Sequence, residues 1–389
     1  MRVLFFLPSL DGYESRVKLL CELSQGLDRL YLMVGRSRAA VDLRAYPRVE
    51  IVESGFRPGR RLGNAWRANR LAARLIRQEK IDIVHDTFGN FLPLLWFRDR
   101  FARARFFCSF YVLTSWRAKR VWGGMPLWEV MGNTSLWRLF YNRWVERSVC
   151  RRADRVILQA AGLAERLRRE VSIPEERIAV LPNNVDTAFW RPAMDSPRKS
   201  RRNGDPVRLL FVGSLGRSRG LFVLLETMRL LRQRGISAAL TLIGGQQPFE
   251  RDRMQKRIEE YRLSGSVALP GRLRPEEVRD AFHQNDLFLY QTINDGSPRV
   301  VLEAMACGIP IIASHHPGID ALDPNGEAIA FTPYGDAAGV ARLVESFRQD
   351  PATWRKRALC GCGVAHERFG SERVAQAYLS LYHSVPAQR

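Results

Sequence analysis

Leu287-Phe-Leu-Tyr-Gln-Thr-Ile-Asn-Asp-Gly-Ser-Pro-Arg-Val-Val-Leu-Glu-Ala-Met-Ala-Cys-Gly-Ile-Pro-Ile-Ile-Ala313 passes from strand to helix to strand in one short stretch. Residues 287–289 and 309–313 are apolar, strand-like runs. Between them, Ser297 is a good N-cap and Pro298 suits the first helical turn. Gly308 can end the helix in the left-handed conformation, and Pro310 blocks its continuation. This punctuation predicts a ten-residue helix over 298–307. Strand–helix–strand at this spacing is the unit from which parallel, doubly wound sheets are built.

The alternation recurs on both sides. In the C-terminal half, 208–212 and 239–243 are further strand-like runs, and 221–233, 248–261 and 275–284 are helix-like. In the N-terminal half, 3–7, 30–34, 49–52, 81–85, 106–110 and 156–159 read as strands, and 65–78, 136–150 and 162–171 as helices. Two such sets predict an α/β protein of two Rossmann-like, doubly wound domains. The stretch 191–206, rich in proline, serine and charge, reads as a linker between a first domain, 1–190, and a second, 207–370. Ligands bind beyond the carboxyl ends of the strands in open α/β sheets, so the two domains are expected to face a central cleft. Residues 371–382 read as a final helix.

Composition bounds the rest. A chain of 389 residues exceeds one ordinary α/β core, and its 46% hydrophobic and 26% charged residues exclude a disordered or low-complexity chain. The opening apolar run is short, lacks a small-residue cleavage site and is soon followed by Asp11 and Glu14. It therefore reads as a buried strand, not a signal peptide. No apolar stretch approaches the roughly 18 residues of a membrane span, so a cytoplasmic location is expected. Cys360 and Cys362 form the only close pair of the six cysteines and have no matching pair for zinc, which favours reduced thiols filling core space.

The net charge is +21, and most of the excess lies in residues 1–190, with 33 Lys/Arg against 19 Asp/Glu. Residues 57–80 carry eight basic residues and one acid; 98–155 carry thirteen and four, with five of the nine tryptophans. Interleaved Trp and Arg suit the headgroup zone of an anionic membrane surface better than nucleic acid. A plain solvated face stays open as the alternative.

The stretch quoted first also carries chemistry. The amides and dipole of a helix that starts after a glycine turn form an anion site, suited to a diphosphate. Glu303 lies five residues past Pro298, about 7.5 Å along the axis at 1.5 Å per residue. A carboxylate there can accept hydrogen bonds from a ribose diol while phosphates sit at the helix start. Asp295, just before the helix, would lie near a transferred sugar. An exposed loop aspartate beside an ordinary helix glutamate would look the same if no other part of the chain agreed.

Other parts do agree. The segment resembles the paired-acid signature of retaining GT-B glycosyltransferases of family 4: an acid, a glutamate after seven intervening residues, then Ala-Met-Ala-Cys-Gly-Ile-Pro310. In the family's order, residues 1–17 resemble its first strand and glycine loop, with Gly12 kept, and Ala153-Asp-Arg-Val-Ile-Leu-Gln159 resembles the strand before the crossover. Ile178-Ala-Val-Leu-Pro-Asn-Asn-Val-Asp186 with Phe189-Trp-Arg-Pro192 resembles the end of the first domain. Arg208-Leu-Leu-Phe-Val-Gly-Ser-Leu215 and Leu269-Pro-Gly-Arg272 resemble the opening and the nucleobase edge of the second. The likeness is weakest over 36–150.

The resemblance implies a GT-B fold, with the final helix packing back on the first domain. It implies a sugar transferred from a UDP- or GDP-linked donor as co-substrate to a hydroxyl acceptor. Asp295 and Glu303 become catalytic candidates. The donor site implied is Gly12, Gly213, Arg217, Arg219, Gly271, Gly296, Ser297, Pro298, Arg299, Val300 and Glu303. The sequence departs from the family at Ser214, where Arg is usual, and at Arg219, where Lys is usual; Arg217 could supply the missing charge. Where relatives carry a strand-end histidine, residues 107–116 have none, leaving Tyr111, or His85 at the end of 81–85, as replacements. The absence of any Asp-x-Asp pair predicts no metal cofactor, with arginines and a helix dipole neutralising the leaving diphosphate in a front-side displacement. The expected acceptor is a lipid-linked or membrane-borne glycan, which places the chain peripherally on the inner membrane face. A soluble acceptor and a catalytically silent nucleotide-sugar-binding partner subunit are the alternatives. No nucleic acid partner is expected.

Overall fold

The computed structural model describes residues 1–7, 14–35, 43–55, 61–87, 90–101, 103–110, 136–193, 204–245, 248–293 and 295–385. The chain divides into two compact units, Met1–Asn184 with Ser371–Arg389, and Val185–Gly370.

The first unit holds a seven-stranded sheet of β1 (Arg2–Leu7), β2 (Arg29–Val34), β3 (Val49–Glu53), β4 (Ile83–Thr87), β5 (Arg105–Phe110), β6 (Arg155–Leu158) and β7 (Ile178–Val180). All pairs are parallel and the order is β3-β2-β1-β4-β5-β6-β7. The order reverses between β1 and β4, as in doubly wound nucleotide-binding folds. Both faces of such a sheet are covered, which is why a strand such as 3–7 reads as an unbroken apolar run. The covering helices are α1 (Glu14–Ser24), α2 (Arg61–Gln78), α3 (Leu92–Trp96), α4 (Leu136–Arg152) and α5 (Ala161–Val171). The C-terminal helix, Ser371–His383, belongs to this unit: Val374, Ala375, Tyr378 and Tyr382 pack into one core with Val3, Phe5, Ile83, Phe107 and α1.

The second unit repeats the plan with β8 (Val207–Val212), β9 (Ala238–Ile243), β10 (Val267–Gly271), β11 (Leu287–Tyr290), β12 (Ile311–Ser314) and β13 (Ile329–Thr332), in the order β10-β9-β8-β11-β12-β13. Its helices are α6 (Leu221–Gln233), α7 (Pro248–Glu260), α8 (Pro275–Gln284), α9 (Arg299–Ala306), α10 (Pro317–Asp320), α11 (Ala337–Gln349) and α12 (Pro351–Phe369). Residues 185–190, read from sequence as part of the first domain, pack in this unit instead. The Val185 amide donates to Phe369 O at 2.8 Å, and the Trp190 ring meets Phe282 at 5.9 Å. Of the expected linker, 194–203 lies outside the described residues.

Two further expectations need correction. The helix at 298–307 has eight residues, Arg299–Ala306, and its N-cap is Pro298, not Ser297. Pro298 is extended, with ψ 112°, so helical geometry begins one residue later and Ser297 lies outside the helix. The C-terminal end follows the sequence: Gly308 has φ +65°, its amide reaches Met305 O at 2.9 Å, and Ile309 N reaches Ala304 O at 3.2 Å. Those paired bonds make a Schellman stop. The second correction concerns β4, which runs on to Thr87, so His85 lies inside the strand and not at its end.

Candidate active site

The second sheet reverses its order between β8 and β11, and the residues following those two strands meet there. After β8 the chain turns through a short helical turn, Arg217–Arg219, and enters α6 at Gly220. Gly220 has φ +71°, and a Cβ there would lie 2.3 Å from Gln291 O. Only glycine lets the start of α6 press onto the end of β11, and the contact delivers Arg219 beside Tyr290 and Asp295. Further bonds fix the approach: Ile293 N donates to Ser218 O at 3.2 Å, and Thr292 N donates to Ser314 Oγ at 2.9 Å. Ser314 Oγ donates back to Thr292 O at 2.9 Å.

Arg219 Nη1 donates to Tyr290 Oη at 2.7 Å and to Asp295 Oδ2, with which it forms an ion pair. Tyr290 Oη donates to the same Asp295 oxygen at 2.8 Å. The Arg219 and Asp295 side chains are 26% and 16% exposed, so the pair is open on one side. Burial opposes the Arg219 charge, but the Tyr290 and Asp295 oxygens outweigh it and raise its pKa above the ordinary arginine value. Burial first, and the Asp295 charge second, push the Tyr290 phenol well above its usual range, so it stays protonated. Both Arg219 bonds leave from Nη1; Nη2 and Nε make no hydrogen bond among the described residues. A guanidinium has five N–H donors, so three remain for an anion.

Past Asp295, Gly296, Ser297 and Pro298 are buried and lead into α9. A Cβ on Gly318 of α10 would lie 2.3 Å from Gly296 O and 2.7 Å from Asp295 O, so α10 backs this turn directly. Val301, Leu302, Ala304, Met305 and Ala306 face the core, while Arg299, Val300 and Glu303 are half-buried. Arg299 and Glu303 are four residues apart and share that side of the helix.

The remaining sequence candidates fall in three groups. Gly213 follows β8, but its amide donates to Ile243 O at 3.0 Å and serves the sheet. Gly271 ends β10, two strands away from β8, and its carbonyl accepts from Gly244 N at 2.8 Å. Arg217 sits in the turn before Arg219; its side chain, like Gly12 and Tyr111, lies outside the described residues. His85, in the first unit, is corrected: it is fully buried, with Nδ1 2.5 Å from Tyr382 Oη and Nε2 2.7 Å from Ser109 Oγ. Burial lowers its pKa to about 3, so the ring is neutral. Both ring nitrogens are occupied, and the residue ties β4 and β5 to the C-terminal helix.

Tyr290, Gly220, Ser314 and Gly318 were missed from sequence. Tyr290 ends the run read as 287–289, where the rule that ligands bind beyond strand ends could have singled it out.

Two family models match the chain: Glycosyltransferase Family 4 over residues 18–189, and Glycosyl transferases group 1 over 194–360. The protein described as colanic acid biosynthesis glycosyltransferase WcaL of Salmonella typhimurium is 32% identical over 243 residues, 60% of this chain and 58% of that relative. WcaL of Escherichia coli is 30% identical over 205 residues, 51% of this chain and 48% of its own length. The chain thus spans about half the length of the curated relatives it matches. Among solved structures, sucrose-phosphate synthase from Thermosynechococcus elongatus superposes with TM-score 0.80 at 18% identity, over 99% of this chain and 98% of that one. Anabaena HepE, in complex with UDP and glucose, superposes with TM-score 0.76 at 17% identity, over 99% and 100%. Model by model and sheet by sheet, the chain belongs to the GT-B glycosyltransferases of the family 4 type.

Proposed function

We propose that this chain transfers a sugar from a UDP- or GDP-linked donor to an acceptor hydroxyl with retention of configuration. The observation that carries the proposal is the junction of Arg219, Tyr290 and Asp295 at the switch point of the second sheet, beside the entry to α9. The diphosphate would lie against the remaining Arg219 donors and the amides of 296–300, where guanidinium and helix dipole both favour negative charge. Glu303, on the half-buried side of α9, would accept from the ribose diol, and Asp295 would sit by the sugar. In a front-side displacement the leaving diphosphate takes the acceptor's proton while Arg219 and the helix amides stabilise the charge that develops on it. Neutralisation is assigned to these groups and not to a metal because the chain has no Asp-x-Asp pair.

Support for a uridine donor comes from HepE, solved with UDP and glucose, and support for a polysaccharide product from the description of WcaL. The proposed acceptor is a lipid-linked or membrane-borne glycan, reached with the chain peripheral on the cytoplasmic membrane face. The basic excess of residues 1–190 and the exposed Trp66, Trp96, Phe97 and Trp144 suit such a surface. No described helix is long and apolar enough to cross a membrane. A second reading, a nucleotide-sugar binder without turnover, is favoured by Ser214 in place of the family's arginine.

The test is a panel of UDP- and GDP-sugars with glycan acceptors, following nucleotide release and the anomeric configuration of product by NMR. Thermal stabilisation by a donor without nucleotide release would select the silent binder. Neither release nor stabilisation across the panel would remove the donor site altogether.

A further inference from the structure

At the amino ends of three neighbouring strands of the first sheet stand Arg105, first residue of β5, Arg155, first residue of β6, and Arg177, immediately before β7. Adjacent strands are about 4.8 Å apart, so these side chains line one edge. Arg98 and Arg151 join them around a cavity of about 400 Å³ in which, among the described residues, Asp154 is the only carboxylate. Structural duties account for part of this set. Arg98 pairs with Asp154 at 2.9 Å and reaches Arg152 O, and Arg177 donates to Cys150 O at 3.1 Å and to Ala153 O. These bonds satisfy carbonyls at the C-terminal end of α4. Arg155 makes one bond, to Asp154 O at 3.1 Å, and Arg151 makes no hydrogen bond or ion pair among the described residues. Arg105 is itself engaged, so the charge left to a ligand in this set is that of Arg151 and Arg155. Arg177 registers the crowding: burial first, then the charges of Arg98 and Arg155, hold its pKa below the ordinary value against the pull of Asp154.

Beside the cavity the surface is aromatic. Trp96, Phe97 and Trp144 are 48%, 54% and 46% exposed, and the rings of Trp96 and Trp144 meet edge to face at 5.7 Å. Trp96 and Phe97 immediately precede Arg98. Trp144 and Arg151 are seven residues apart on α4, on the same side and about 10 Å apart along its axis. Guanidinium groups suit phosphate, and amphipathic rings suit the headgroup zone just below it.

We infer that this arginine cavity seats the headgroup phosphate of an anionic lipid, with Trp96, Phe97 and Trp144 entering the interface beside it. The inference deepens, and rests on, the membrane-surface reading of the proposed function. The site lies at the amino edge of its sheet, a strand length of about 20 Å from the carboxyl edge where that fold binds ligands.

Co-sedimentation with phosphatidylcholine vesicles, alone or with phosphatidylglycerol or phosphatidic acid, tests it at low salt. Wild-type protein is expected to sediment with both anionic compositions and not with phosphatidylcholine alone. Arg151→Glu with Arg155→Glu is expected to weaken that binding at least tenfold, and Arg67→Glu with Arg74→Glu, exposed on α2 and outside the cavity, much less. Unchanged thermal stabilisation of the variants by UDP controls for folding. Equal loss in both pairs would leave membrane binding standing and overturn the cavity as its seat. Wild-type stabilisation by inorganic phosphate, lost with Arg151→Glu and Arg155→Glu but without vesicle binding, would make this a free-phosphate site and overturn the lipid assignment. No binding to vesicles or phosphate overturns the inference and the membrane reading together, without touching the donor site.

Discussion

The phenol oxygen of Tyr290 lies 2.8 Å from Oδ2 of Asp295 and 2.7 Å from Nη1 of Arg219, so one buried hydroxyl donates to the acid and accepts from the base of an ion pair. Its ring stacks on Phe211 at 6.1 Å and Phe288 at 5.9 Å, which fixes the hydroxyl in place. Tyr290→Phe keeps the stack and removes both bonds. Hydrogen bonds to charged groups are worth about 1.5–3 kcal/mol, or roughly ten- to hundredfold in rate. The expected result is a loss of that size in kcat with donor KM changed less than threefold. A large rise in KM with kcat intact would instead put Tyr290 in ground-state binding.

The two acids are expected to separate kinetically. Glu303→Ala removes an acceptor for the nucleoside and is expected to raise donor KM about tenfold or more, in line with a lost charged hydrogen bond. Asp295→Ala leaves Arg219 without its carboxylate partner and is expected to act on kcat. Donor titrations of both variants settle this, and unchanged kinetics in both would show that the site lies elsewhere.

How far the sequence carried can be judged from particular elements. Strands such as 3–7 and, past Arg208, 209–212 are apolar because both faces of a parallel sheet are covered, and such runs are legible without a structure. Asp86 and Thr87 hid the end of β4, because the polar groups there are paired: Phe91 N donates to Asp86 Oδ2 at 2.7 Å, and Thr87 Oγ1 donates to Phe6 O at 3.1 Å. That hidden end made His85 look like a strand-end residue. Asp295 and Glu303 were legible because both belong to one continuous segment. Tyr290 was open to the strand-end rule, but Gly318 matters through a contact across 22 positions, and no local pattern announces such a contact.

Gly318 offers a test of the backing of the acid turn. A methyl group there would come within 2.3 Å of Gly296 O, a backbone atom that can move only with Asp295. Gly318→Ala is expected to cost about 1–3 kcal/mol of stability, as overpacking does. Displacing a reacting group by about 1 Å can cost on the order of a hundredfold in rate, so activity is expected to fall much further than thermal stability. A variant as active as wild type would show that the turn tolerates the shift.

His85 and Asp86 are adjacent, both buried, and shifted in opposite senses. Burial lowers the His85 pKa to about 3 and raises the Asp86 pKa to about 7. Unfolded, the histidine titrates near 6.5 and the aspartate near 3.9. Between about pH 4 and 6.5 the unfolded chain therefore binds a proton at His85 that the folded chain refuses, which makes stability rise with pH. Over the same window the folded chain keeps a proton on Asp86 that the unfolded chain has lost, which makes stability fall with pH. Each effect has a slope of about 1.4 kcal/mol per pH unit, and the two oppose each other. His85→Gln is thus expected to lose stability relative to wild type as pH rises from 4 to 6.5, and Asp86→Asn to gain it. Urea denaturation at half-unit pH steps would show the two difference curves diverging. Parallel curves would mean that at least one of these side chains is ionised in the folded protein, and that the neutral pair at the heart of the first sheet is wrongly drawn.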